Sequence, residues 1–335
     1  MRSKWSISIG AKVALVFSAL FLSAVEAQSS VETKPIRIGV IAVPATGLID
    51  LAKEKGFFAA EDVEVELVRF SLGRLGIDAL IRKEIDLAGA YEGPVARYIK
   101  ADFPLKILTT LHLGSDDTVL LAGPGSGIKK PADIEGKKIG FAYMTSSETF
   151  FDTFIRRYGL NGAKIRTVDL RPQEYLEALR TNRVSAIVVW NPELQRIKKE
   201  LNLTEESEFY VNSFSEHSLL VTLPETVAQR KQQIQKVMQA LLKAETFAKA
   251  SRKESMSLIC TLIGLDPCAE IYAKRRHFDL QLGLTNFLTT NLNSQLLQPS
   301  SIAGRYGSVP HYIDAKTFFV PEFLQRICQS CVTAF

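Results

Sequence analysis

The sequence predicts an α/β protein of two lobes, each a mostly parallel sheet flanked by helices, with two crossover strands between them. Three observations carry this expectation. Short apolar runs of strand length alternate with segments of helical period, the rhythm of parallel sheets. The rhythm occurs twice, in blocks separated by Gly123-Pro124-Gly125-Ser126-Gly127, where regular structure must break. The length, 335 residues, suits two domains better than one.

The first block opens with Ile36–Val43, a continuous apolar run of the kind found in strands buried on both faces. Leu48, Leu51 and Ala52 then recur at helical spacing, and Gly56 supplies a stop. Val63–Phe70 alternates as a strand. Leu75, Ala79 and Leu80 share one side of the helix that follows. Asp86–Tyr91 is a third short strand, Pro94–Ala101 a third helix and Leu105–Leu113 a fourth strand.

Thr118–Ala122 is strand-like and is the first candidate crossover. The second block then runs strand 137–143, helix Glu148–Tyr158, strand Ile165–Leu170, helix Gln173–Asn182, strand Ser185–Trp190 and helix Pro192–Leu201. His217–Pro224 is the second candidate crossover. Beyond it the pattern is helical, with Val227, Ile234, Val237, Met238, Leu241, Leu242 and Phe247 on one face of a single long helix. Two crossings make the second lobe an insertion. Lobe 1 is then 35–120 with 223–335, and lobe 2 is 121–222.

Composition is ordinary for a globular chain, at 46% hydrophobic and 23% charged. Residues 1–27 read as a secretory leader: Arg2, Lys4 and Lys12 precede the apolar run Val13–Ala24, and Val25-Glu26-Ala27 fits a cleavage site after Ala27. The run is short of the roughly 20 residues that span a bilayer. The formal charge is +5, and no basic run is interleaved with aromatics, so nucleic-acid binding has no support. Four cysteines, Cys260, Cys268, Cys328 and Cys331, suit disulfides in an exported protein, with three pairings open. Cys260 and Cys268 flank a turn. Cys328-Gln-Ser-Cys331 sits at a helix end rather than opening a helix after a strand, which favours a structural bridge over redox chemistry.

The stretches 37–70, 76–96, 134–160 and 185–193, taken in order, resemble the periplasmic solute-binding proteins of the nitrate, sulfonate, taurine and thiamine-precursor class. The resemblance covers about Ile36 to Pro224. It implies a type II periplasmic binding fold with a ligand in the cleft, and a partner in the permease of an ABC importer. It implies no cofactor, and a monomer is expected. A rival expectation is a binding protein that signals to a membrane receptor. The same class includes a thiamine-pyrimidine synthase with a Cys-rich active-site motif, to which nothing here corresponds.

Ligands of open α/β sheets lie beyond the carboxyl ends of the strands. The loops there supply Thr46, Ser71, Tyr91, Glu92, Thr145, Ser146, Ser147, Trp190 and Asn191; His217, on the second crossover, joins them. Thr145 and Glu148 also fit a capping box opening a helix. A helix N-terminus with free N–H groups welcomes an anion, and the family uses this junction; Glu148 would oppose one. Asn191 reads as the cap and Pro192 as the first residue of the next helix. Trp190 offers a flat face for a ring or alkyl chain. Arg74 could serve an anion. His217 has no second histidine near it in sequence, so no metal site is expected. The carboxylates and aromatics favour an organic solute with a nitrogen, taurine-like or aminopyrimidine-like, over a bare oxyanion.

Overall fold

In the computed structural model, residues 34–115, 118–211, 214–265, 278–297 and 314–334 are described. The expected leader, residues 1–27, and Cys268 lie outside them. The described elements all belong to the compact unit Pro35–Phe335.

The first block forms β1 (Ile36–Ile41), α1 (Gly47–Glu54), α2 (Phe57–Ala60), β2 (Val65–Phe70), α3 (Gly73–Ile81), β3 (Leu87–Tyr91), α4 (Glu92–Lys100) and β4 (Lys106–Ser115). The second forms β5 (Thr118–Ala122), β6 (Lys138–Phe141), α5 (Ser146–Arg157), β7 (Arg166–Asp169), α6 (Tyr175–Arg180), β8 (Ala186–Trp190), α7 (Glu193–Leu201) and β9 (Glu208–Phe209). The chain returns through β10 (Ser215–Thr222) to α8 (Pro224–Gln229), α9 (Lys231–Ala250), α10 (Arg252–Leu262) and the short β11 (Phe278–Asp279).

Two sheets result, ordered β11-β4-β10-β3-β1-β2 and β7-β6-β8-β5-β9. Each has a parallel centre, β2-β1-β3 in one and β7-β6-β8 in the other. Antiparallel pairs enter where the chain changes lobe: β10 with β3 and β4, β5 with β8 and β9. The crossings fall between Ser115 and Thr118 and between Phe209 and Ser215. β5 therefore lies wholly in the second sheet and β10 wholly in the first, whereas the sequence placed the lobe boundaries at 120 and 222. A strand buried on both faces carries no mark of the sheet it joins.

Alternation along the strands explains the second lobe's two-sided core. Leu120, Ala122, Ala186 and Val188 face a cluster with Phe141, Phe150 and Phe154. Val119, Leu121, Ile187 and Val189 face the other way, against Tyr175, Leu179 and Leu194, as period two requires. In the first lobe Ile234, Val237, Met238 and Leu241 of α9 join one cluster with β1, α1 and α4. The single long helix expected from 227 to 247 is two, because Arg230 leaves helical geometry (φ −120°, ψ 27°). Cys328 and Cys331 are bonded to each other, with Cα atoms 5.3 Å apart; Cys260 is also disulfide-bonded.

Candidate ligand-binding cleft

A cavity of about 50 Å³ lies where strand ends of the two sheets meet. About 10–15 Å³ suffices for one water, so the space suits a compact solute. Tyr91, Pro94 and Ser71 wall it from the first lobe, Thr145, Ser146 and Trp190 from the second. Trp190 stands in register with Thr118, which also lines it.

The α5 N-terminus is built as its sequence suggests, with one difference. Thr145 is the N-cap; its Oγ1 accepts the Ser147 N–H (3.2 Å) and donates to the Ala142 carbonyl (2.7 Å). Glu148, fully buried, accepts the N–H of Met144 (2.7 Å), one residue before the cap. Its other oxygen accepts a hydrogen bond from Arg97 Nε (3.0 Å). The helix end that could have welcomed an anion thus already holds a carboxylate of the protein itself.

Several expected contacts are not among the lining residues. Thr46 is fully buried and donates to the Ile41 carbonyl (3.0 Å). Its methyl fills the place a Cβ at Gly89 would take, 2.6 Å away. Ser147 turns inward and donates to the Val188 carbonyl (3.0 Å). Glu92 and His217 are buried against each other, with Oε2 and Nδ1 3.0 Å apart; a buried carboxylate needs such a partner. Asn191 is fully buried. The Asn191–Pro192 peptide is cis and Pro192 is the N-cap, so Asn191 stands one residue outside the cap expected of it. Arg74 is likewise not among the lining residues.

Two titratable lining residues, His112 on β4 and Glu216 on β10, are among those that escaped the sequence reading. The ladder brings His112, Ser218 and Tyr91 into one row across β4, β10 and β3, and sets Glu216 opposite Gly114. Gly114 has no side chain to cover the carboxylate. The His112 and Tyr91 rings meet edge to face, 6.4 Å between centroids. Burial pushes the His112 imidazole down to about 3, and His217 nearby adds to this. His112 is therefore neutral at physiological pH, one donor and one acceptor. The available signal was polarity in the wrong place, a His inside "ILTTLHL" and a Glu inside "SEHSLLV".

Among the described lining residues Glu216, only 5% exposed, is the one carboxylate, and no Lys or Arg is present. The wall is otherwise apolar and aromatic with scattered hydroxyls. Such a surface offers a flat ring a face to stack on and N–H groups an acceptor.

A Brucella abortus protein named only as a binding protein is 24% identical to this chain over 237 residues, 69% of this chain and 72% of its own length. Among solved structures, the alkanesulfonate-binding protein of Xanthomonas axonopodis bound to MOPS gives a TM-score of 0.66 at 18% identity, covering 85% of this chain and 98% of that one. The periplasmic nitrate-binding protein of Synechocystis gives 0.69 at 13% identity, with 89% of each chain covered. At these identities the likeness speaks to fold, and the fold is the two-lobed one of periplasmic binding proteins. The NMT1/THI5-like family pattern matches residues 45–255, and on that match, as the ordered stretches of sequence implied, the chain belongs to the NMT1/THI5-like family.

Proposed function

We propose that this protein is the extracytoplasmic solute-binding component of an ABC importer. In this reading it captures a small nitrogen-bearing organic solute and delivers it to a membrane permease. It works as an exported monomer, its leader cleaved after Ala27, without a cofactor and without catalysis. The match to a binding-protein family and fold supports the general role.

One observation carries the choice of solute: Glu216 on a cavity wall whose described residues include no basic side chain. A sulfonate or nitrate held against that wall would lie beside the Glu216 carboxylate, and like charges at close range repel. An aminopyrimidine-like solute suits the wall better. Its amino and ring N–H groups can donate to Glu216, its ring nitrogens can meet His112, and its faces can lie against Tyr91 or Trp190. Of the two solute classes the sequence suggested, the aminopyrimidine-like one is retained and the taurine-like one is set aside.

A thermal-shift panel on the purified chain tests this. A solute that binds only the folded state raises the melting temperature by mass action. Aminopyrimidines and related amino-heterocycles should do so, while nitrate, taurine and alkanesulfonates should not. Stabilisation by sulfonates alone would refute the solute class. Genes for a permease and an ATPase beside this one would fit import; a sensor kinase gene in their place would fit signalling.

A further inference from the structure

The cleft walls are tied together by a side chain outside the cavity. Arg97, on α4 of the first lobe, is 7% exposed and makes its bonds on α5 of the second. Its Nε donates to Glu148 (3.0 Å), its Nη1 to Thr149 Oγ1 (2.8 Å) and its Nη2 to Asp152 (3.3 Å). Nη1 also donates to the Gly93 carbonyl (3.1 Å) on its own helix. Glu148, Thr149 and Asp152 are all buried. A planar guanidinium can serve these acceptors at once, whereas a lysine ammonium cannot match the fork.

The helices meet closely enough that the contact is steric as well as electrostatic. A Cβ on Gly93 would stand 2.2 Å from Thr149 Oγ1 and 3.2 Å from Thr149 Cβ. The same helix ends carry both cavity walls: Tyr91 and Pro94 at the start of α4, Thr145 and Ser146 at the start of α5. Glu148 links the two, since the carboxylate that holds Arg97 also holds the Met144 turn leading into Thr145.

We propose that Arg97 is a positioning residue, a latch between lobes that closes the cleft before any solute arrives. Closure in binding proteins of two lobes needs an interaction that differs between open and closed states. Here part of it is supplied by the protein, so the solute selects a state already populated and meets walls already spaced. The proposal stands whatever the solute is, because it concerns the unliganded chain.

Small-angle scattering of the dialysed, solute-free protein tests it. The wild-type curve should match the closed arrangement described above. Arg97→Met combined with Glu148→Gln and Asp152→Asn removes the three charges that face one another across the lobes. Its open-to-closed ratio should rise by about tenfold or more, within the range of couplings between sites in proteins, and its radius of gyration should grow. Gly93→Ala should open the cleft by crowding alone, and adding Thr149→Ala should close it again, a rescue that a merely structural role does not predict. Cooperative thermal unfolding identifies folded variants; if the triple variant does not fold, Gly93→Ala and its rescue decide. A wild-type curve already open, or folded variants as compact as wild type, would overturn the latch.

Discussion

At the scale of single residues, the site turns on polar groups set in apolar strands. His112 is the clearest case, and its sign can be worked out. In the unfolded chain its ring takes a proton near 6.5, while in the folded protein burial delays this to about 3. Between those values the unfolded state binds more protons, so the folded state loses stability as pH falls through that window and neither gains nor loses above it. Melting temperature should therefore drop from pH 6.5 to about 5, before most carboxylates titrate, and His112→Gln should flatten that part of the curve. An unchanged slope in the variant would show that His112 takes up its proton in the folded state as well. Residue-scale reading of the sequence had mixed results. Ser71, Tyr91, Thr145, Ser146 and Trp190 do line the cavity, because a loop after a strand end already points there. Glu92, His217, Thr46 and Ser147 were plausible by the same rule, but Thr46 and Ser147 donate to carbonyls inside the fold and Glu92 pairs one oxygen with His217 there. Sequence position places a side chain near a cleft; hydrogen-bond accounting decides which way it turns.

At the scale of elements, hydrophobic period was a dependable guide. The βα rhythm predicted nearly every strand and helix through α7, since a strand buried on both faces leaves little choice of pattern. Helix α9 was legible by its stripe but not by its start. Nothing in the stripe marks the break at Arg230, where the backbone leaves helical geometry. The C-terminal helices earn their place by packing rather than by motif. Leu241 of α9 is fully buried in the first lobe's core. Leu241→Ala should cost about 2–5 kcal/mol through lost burial and the cavity left behind, measurable by urea unfolding with an unchanged slope. A cost under about 0.5 kcal/mol, typical of surface positions, would mean α9 is not packed as described.

At the scale of the whole molecule, two crossings and two mixed sheets set a cleft where loops from both lobes converge. Neither crossing was placed correctly from sequence, because the passage between lobes is a matter of pairing partners. The Arg97 latch was out of reach for the same reason: Arg97 and Glu148 are 51 positions apart in the chain and meet only across lobes. Yet the three-dimensional arrangement sharpens the chemistry that the sequence left open. It puts Glu216 rather than Glu92 on the cavity wall and fills the α5 N-terminus with Glu148. In the proposed reading, both changes turn the cleft away from anions.

The most direct test is calorimetric titration of the purified chain with a matched pair of solutes, an aminopyrimidine and the same ring carrying a sulfonate in place of the amine, repeated on Glu216→Gln. The account predicts that the amine binds at least about tenfold tighter, a difference of roughly 1.4 kcal/mol, and that the Glu216→Gln variant narrows the gap. Tighter binding of the sulfonate by the wild-type protein, or a gap untouched by the substitution, would contradict the central claim that Glu216 sets the charge of the solute this cleft accepts.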